Sequence, residues 1–284
     1  ADTRCLSVYG PHMRNVPYYF AFGNHDLNSG AGPFLEAFYL PTNNVPASVH
    51  AASGTSPEHY YSFDHGDAHF TVLFVPFLSQ YQLKIDDPQH RWLAADLATS
   101  KKPWKFLVFH HPMCTSSAHR FDDYNSNGTA DRLDVLEAVL PLASRYGVQM
   151  ILAGHDHVYE RFNPTNGVHN IVTGGGGAGL YPLIELDAGS AQFWSRHHCV
   201  KVTVENEALR LEALDSTGEV FDWMTIYRSP QPPRLHTAAW SSPVIESGLA
   251  DDNDGNLTGQ RFDFAGSPIP SACLTTPLIY LLNS

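Results

Sequence analysis

Three apolar runs, Tyr18-Tyr19-Phe20-Ala21-Phe22, Phe106 to Phe109 and Val148 to Ala153, each stop at a cluster of residue types that bind metals. The clusters are Gly23-Asn24-His25-Asp26, His110-His111-Pro112 and Gly154-His155-Asp156-His157. Short apolar runs bounded by turn residues read as buried strands. A chain that delivers three such clusters to strand ends is constrained to an α/β sheet whose parallel strands open onto one edge, where such sheets carry out chemistry. The runs between the clusters agree. Pro88 to Ser100 reads as a helix with Trp92, Leu93 and Leu97 on one face, followed by a strand over Trp104 to Phe109. Ala130 to Tyr146 reads as a second helix with Leu133, Leu136, Val139 and Leu140 inward, broken or kinked at Pro141.

Imidazole nitrogen with amide or carboxylate oxygen suits borderline ions such as Zn, Mn and Fe, whereas a structural zinc would call for closely spaced thiolates. Cys5, Cys114, Cys199 and Cys273 are far apart and leave three pairings open. His155 and His157 are one residue apart, so in a tight turn they can address two ions. Two-metal hydrolases use such a pair to clamp the attacking and leaving oxygens.

The order Gly-Asn-His-Asp, His-x-Pro, then Gly154-His155-Asp156-His157-Val158-Tyr159-Glu160-Arg161 resembles the calcineurin-like metallophosphoesterases, and Tyr159-Glu160-Arg161 resembles their purple acid phosphatase branch. A hairpin over Tyr60 to Val75, the Ser116-Ser117-Ala118-His119 loop and the glycine run after Val172-Thr173 add to the likeness, which spans about residues 14 to 228. The resemblance implies a four-layer α/β/β/α sandwich that hydrolyses phosphate esters with two divalent or mixed-valence ions of Fe, Zn or Mn. It implies Asn24, His110 and His155 as ligands of the second ion and His157 as a ligand of the first. His25 would contact the phosphoryl oxygens, with Asp26 orienting it, and His119 would protonate the leaving alcohol. A module of the same family that binds without catalysing is the alternative.

One departure matters. The family's first motifs, Asp-x-Gly or Asp-x-His and then Gly-Asp-x-x-Tyr, supply the remaining ligands and the bridging carboxylate, yet residues 1 to 22 contain only Asp2. The chain therefore reads as N-terminally incomplete, with the missing motifs expected upstream of Ala1. Asp64-His65-Gly66-Asp67-Ala68-His69 contains both patterns but lies between two alternating runs, so it reads as a hairpin turn.

With 43% hydrophobic residues in 284 positions, the chain can bury a large core in one main domain, set at residues 1 to 228. A net charge of -12, with 17 basic against 29 acidic residues, argues against nucleic acid or an anionic membrane as partner, since both need a basic footprint. The resemblance implies a small phosphate ester as partner, whose charge must then be met by metal. No apolar run approaches the ~20 residues of a membrane helix, and Leu278 to Leu282 is too short. Composition agrees with a secreted or periplasmic setting, and the sequons at Asn127 and Asn256 carry meaning only in a eukaryotic secretory route.

Val200 to Val204, Leu209 to Leu214 and Val220 to Tyr227 read as strands of a second sheet, and residues 229 to 284 as a linker and extension. Gly174, Gly176 and Gly179 fit G-x-G-x-x-G, but Leu180-Tyr181-Pro182 opens no helix, so a loop lining the metal cleft is expected there. Asp251 to Gly255 reads as an acidic turn, because a calcium-loop alignment puts Ala250 and Arg261 at its first and last ligand positions.

Overall fold

The computed structural model of the chain describes residues 7–28, 30–42, 44–55, 57–76, 83–205, 207–228 and 245–249. It divides into two units, residues 1–197 with 279–284, and residues 198–278. Asp251 to Gly255 and the linker from Ser229 lie outside the described residues.

The first unit is built on a mixed seven-stranded sheet. Three short helices, α1 (Ser7–Met13), α2 (Gly32–Ala37) and α3 (Ala47–Ser53), precede it. The strands are β1 (Tyr61–His65), β2 (Ala68–Val72), β3 (Trp104–Phe109), β4 (Met150–Ala153), β5 (Tyr159–Phe162), β6 (His169–Thr173) and β7 (Ser190–Trp194), in the spatial order β1-β2-β3-β4-β6-β5-β7. β2, β3, β4 and β6 run parallel, while β1, β5 and β7 pair antiparallel with their neighbours. Helix α4 (Pro88–Thr99) joins β2 to β3 and α5 (Asp131–Arg145) joins β3 to β4. A parallel strand pair requires such crossovers.

Local chemistry explains where α4 starts. Asp87 caps it by accepting from the His90 amide at 2.7 Å, and Pro88 takes a first-turn position that needs no amide donor. Its buried face is Trp92, Leu93 and Leu97, as the sequence predicts. These pack with Leu107 and Phe109 of β3, Ile151 and Ala153 of β4, and Val135 and Val139 of α5. Phe106, Val108, Met150 and Leu152 alternate to the other face and are buried too, the double burial typical of parallel strands. On that face Tyr19, Phe63, Phe70 and Phe106 stack in series, with successive ring centroids 3.8, 5.0 and 4.8 Å apart.

Two expectations need correction. Helix α5 buries Val135, Ala138, Val139 and Ala143, while Leu133 is 38% exposed and Leu136 and Leu140 are only half-buried. Leu133 and Val139 are six residues apart, roughly 240° around the axis, so they cannot share a face. The helix also runs through Pro141. Glu137, whose carbonyl loses its amide partner, is exposed, as is Pro141, so water can replace the missing bond. The run Tyr18 to Phe22 forms no strand among the described residues. It is held by side chains instead: Tyr61 donates its hydroxyl to the Phe20 carbonyl at 2.8 Å, and Phe22 packs on His59, Phe34 and Phe74.

The β1–β2 hairpin has a two-residue loop with Gly66 at φ 54°, the position where a type II′ turn uses glycine. Ala68 pairs with Trp104, at the start of β3, so the turn stands at the sheet edge opposite His110. Six residues of strand separate those edges, about 20 Å at ~3.3 Å per residue. Asp64 and Asp67 therefore cannot bridge metals at the histidine edge. Asp64 instead accepts from His69 at 2.7 Å, while the other ring nitrogen of His69 meets Asp96 of α4 at 3.0 Å.

The second unit is a four-stranded antiparallel sheet in the order β11-β10-β9-β8, with β8 at His198–Glu205, β9 at Ala208–Asp215, β10 at Val220–Tyr227 and β11 at Ile245–Leu249. The three expected strands are present. Among the described residues no helix is long and apolar enough to cross a membrane.

Candidate metal centre

Strands β3 and β4 end side by side, with Phe109 opposite Ala153, and the Gly154 amide donates to the His110 carbonyl at 2.9 Å. This pairing sets His110 next to His155. The chain then turns sharply: the Asp156 amide reaches back to the Gly154 carbonyl at 2.8 Å around His155, whose φ is 67°. That is a γ-turn with positive φ, a strained form costing on the order of 1–3 kcal/mol. The Val158 amide closes a second two-residue step onto the Asp156 carbonyl, around His157. Successive tight turns send the two imidazoles to different places.

His155 turns inward. Its Nδ1 lies 3.1 Å from His110 Nε2, and Asn24 Oδ1 lies 2.9 Å from the same nitrogen. Gly23 makes this approach possible, because a Cβ there would sit 2.9 Å from two atoms of the His110 ring. His157 turns outward, stacking on Tyr181 with ring centroids 4.2 Å apart and contacting the Gly179 carbonyl through Nδ1 at 2.6 Å. A metal-ligating histidine commonly gives its second ring N–H to a carbonyl in this way, which leaves Nε2 for the ion. The contact brings the glycine-rich loop to His157.

The donor set fits a transition ion. At bonds of ~2.1 Å, ligands on one ion lie about 3.0–3.4 Å apart, close to the 2.9 and 3.1 Å that separate His110 Nε2 from Asn24 and His155. Burial, reinforced by His111 and the surrounding histidines, pushes the His110 imidazole down to about 3 and that of His155 well below its usual value. Both are neutral near pH 7, the form that can ligate. His111, fully buried, packs its ring 4.5 Å from His155 and is pushed down to about 3, chiefly by burial.

His119 lies on the opposite side of His155, ring centroids 4.1 Å apart. Its Nδ1 meets Asp122 Oδ2 at 2.5 Å, and its amide donates to Asp156 Oδ1 at 3.2 Å. Ligand atoms of His119, Asp122 and His155 all lie within 4.8 Å of one another, so these three form a further group able to hold a metal ion. Asp122 is a residue that motif order does not reveal; its signal is the i, i+3 spacing from His119. Glu160 supports the same loop from below. Fully buried, it accepts from the Ser116 amide at 2.8 Å and from the Ser116 hydroxyl, while Arg120 ties Thr115 to Asp187.

His25 is exposed at the start of a 3-10 turn, His25–Leu27, with its Nδ1 3.3 Å from Asn28 Nδ2. Asp26 does not hydrogen-bond His25 here. Its carboxylate accepts from the Gly23 amide at 2.8 Å, clamping the Gly23–Asp26 turn and so placing Asn24.

Residues 2–159, more than half of the chain, match the family described as calcineurin-like phosphoesterase. The chain belongs to that family. Purple acid phosphatase 18 of Arabidopsis thaliana is 28% identical over 249 residues, covering 82% of this chain and 51% of the relative. Purple acid phosphatase 23 of the same plant is 28% identical over 158 residues, covering 54% and 31%. The chain thus spans between about a third and a half of the length of these relatives. The purple acid phosphatase PPD1 from yellow lupin seeds shares the fold, with a TM-score of 0.56 at 22% identity over 79% of this chain and 43% of that one.

Proposed function

We propose that this edge is the histidine-and-amide half of a two-metal site that hydrolyses phosphate monoesters, with Asn24, His110 and His155 on one ion and His157 on its neighbour. When bound, the ions supply positive charge that polarises the phosphoryl group and acidifies a water. The remaining roles fall to this chain's own side chains. His25, on the solvent side, meets the phosphoryl oxygens as charge builds on them. His119 gives a proton from Nε2 to the leaving oxygen, and Asp122 on Nδ1 orients the ring. The strained turn at His155 is the cost of aiming Nδ1 at the ion. The four-layer packing and a secreted or periplasmic setting belong to the same proposal.

One observation carries this reading: Asn24 Oδ1 and His155 Nδ1 both close on His110 Nε2. The family match and the purple acid phosphatase relatives support phosphate esters as the substrate class. The test is to load the chain with Zn, Mn or Fe, measure bound metal, and follow aryl-phosphate hydrolysis in the wild type and in His110→Ala. The proposal expects His110→Ala to lose bound metal, together with whatever turnover the wild type shows. Equal metal content in the two proteins would overturn it.

A further inference from the structure

We infer that the loop Asp123 to Asp134, between the His119 segment and helix α5, is a second cation site, of calcium-binding type and separate from the histidine edge. The residues fall at the ligand positions of a twelve-residue calcium loop: Asp123 first, Asn125 third, Asn127 fifth, the Thr129 carbonyl seventh, Asp131 ninth and Asp134 twelfth. The sixth position, where that loop needs glycine for its sharp turn, is Gly128 at φ 85°. Helix α5 begins at Asp131, the ninth position.

Hydrogen bonds already gather part of the loop. Asp123 accepts from the Asn127 and Gly128 amides at 3.0 and 2.9 Å. The amide nitrogens of Asn125 and Asn127 both close on Asp134 Oδ2 at 2.9 Å. Two amide N–H groups there satisfy the carboxylate where a cation would otherwise stand. The side-chain oxygens of Asn125 and Asn127 accept from the Asn127 and Thr129 amides at 3.0 and 2.7 Å, and each keeps a second lone pair for an ion.

An independent feature of the molecule asks for that cation. Asp131 is 0% exposed, and its Oδ1 has no hydrogen-bond partner among the described residues. Its Oδ2 accepts from the Tyr124 amide at 3.0 Å, which ties the carboxylate to the second position of the loop. A buried carboxylate oxygen without a donor is costly, and native structures meet it with a donor, a water or an ion. Burial together with the charges of Asp123, Asp134 and Asp122 pushes this carboxyl up to about 6, as expected of carboxylates gathered without a counter-cation. Oxygen ligands alone select a hard ion, and a flexible loop of this length favours calcium over the smaller magnesium. One of the bonds that join the site to the histidine edge runs from the Asp131 amide to the Asp122 carbonyl at 2.8 Å. Ordering the loop would therefore hold Asp122 against His119.

The test is calorimetric titration of the chelator-treated full chain with calcium chloride alone. Saturable binding of one ion is expected, with Kd on the order of 10⁻⁵ to 10⁻³ M. Asp123→Ala and Asn125→Ala should each weaken it by roughly tenfold or more, since both remove a ligand. His110→Ala should leave it unchanged. Circular dichroism of each variant confirms the fold, and if Asp123→Ala does not fold, Asn125→Ala decides. Calcium should also slow amide hydrogen exchange across residues 119–131. Absence of saturable binding in the wild type, binding untouched by the folded loop variants, or binding abolished by His110→Ala would overturn the inference.

Discussion

Gly23→Ala perturbs the histidine edge by a single carbon. Gly23 is buried and its φ is not in the left-handed region, so the substitution strains space and not backbone. The new Cβ would stand 2.9, 2.9 and 3.2 Å from three atoms of the His110 ring, against ordinary contacts of 3.4–4 Å. The ring must retreat by roughly half an ångström. It has little freedom to do so, being 6% exposed and fixed between Asn24 at 2.9 Å and His155 at 3.1 Å. Overpacking of this kind costs about 1–3 kcal/mol of stability in the metal-free protein. Metal sites tolerate only about 0.2 Å in ligand position. Affinity should therefore fall by ~10- to 100-fold, the range found when a ligand's support is disturbed. The assay is metal titration of chelator-treated wild type and Gly23→Ala, with urea unfolding of both metal-free forms. A variant that keeps wild-type metal affinity while losing stability would refute the claim that His110 is a ligand held in place by Gly23.

In a form that holds both ions, His119→Asn should slow hydrolysis of alkyl phosphates by roughly 100- to 10,000-fold while costing activated aryl phosphates far less, because only poor leaving groups need the proton. Asp122→Asn should show the same preference with a smaller loss, and equal losses on both substrates would assign His119 to another role. His111 titrates at about 3 in the fold against ~6.5 unfolded, so between those values the unfolded chain holds the extra proton and stability falls as pH falls. The stability advantage of wild type over His111→Gln, measured by urea unfolding without metal, should therefore shrink below pH ~6.5 by up to ~1.4 kcal/mol per pH unit, and a constant difference would show that His111 is not buried neutral. Asp64→Asn and Asp67→Asn should leave metal content unchanged, since their hairpin turn stands at the far edge of the sheet; loss of metal in either would mean that the hairpin reaches the site after all.

Much of the sheet was legible because its signals are local. Helix α4 announces itself through Asp87-Pro88 and the spacing of Trp92, Leu93 and Leu97, and the hairpin through Gly66 between alternating runs. His110 and His155 could be placed together because each stands within two residues of the end of a buried parallel strand, and neighbouring strands align their ends. What escaped depends on distant contacts. Nothing near Glu160 in the chain says that it holds Ser116, 44 residues earlier, and nothing near Asp26 says that it serves the Gly23 amide instead of His25. The inward face of α5 is only partly legible: Val139 is buried as expected and Leu136 and Leu140 border the core, but Leu133 faces out and the small Ala138 and Ala143 fill the contact. Tyr18 to Phe22 has strand composition, but a strand exists only where a neighbour offers a ladder, and here side-chain aromatics hold the segment. The spacing from Asp123 to Asp134 was readable all along, although only the buried orphan oxygen of Asp131 gives it weight.

The central claim is that Asn24, His110 and His155 share one ion. A crystal structure of the metal-loaded chain, with anomalous scattering recorded at the absorption edge of the added metal, tests it most directly. The account predicts a peak ~2.1 Å from His110 Nε2 and His155 Nδ1 and within bonding distance of Asn24 Oδ1. A peak held by His119 and Asp122 with His155, leaving Asn24 and His110 unligated, would contradict it.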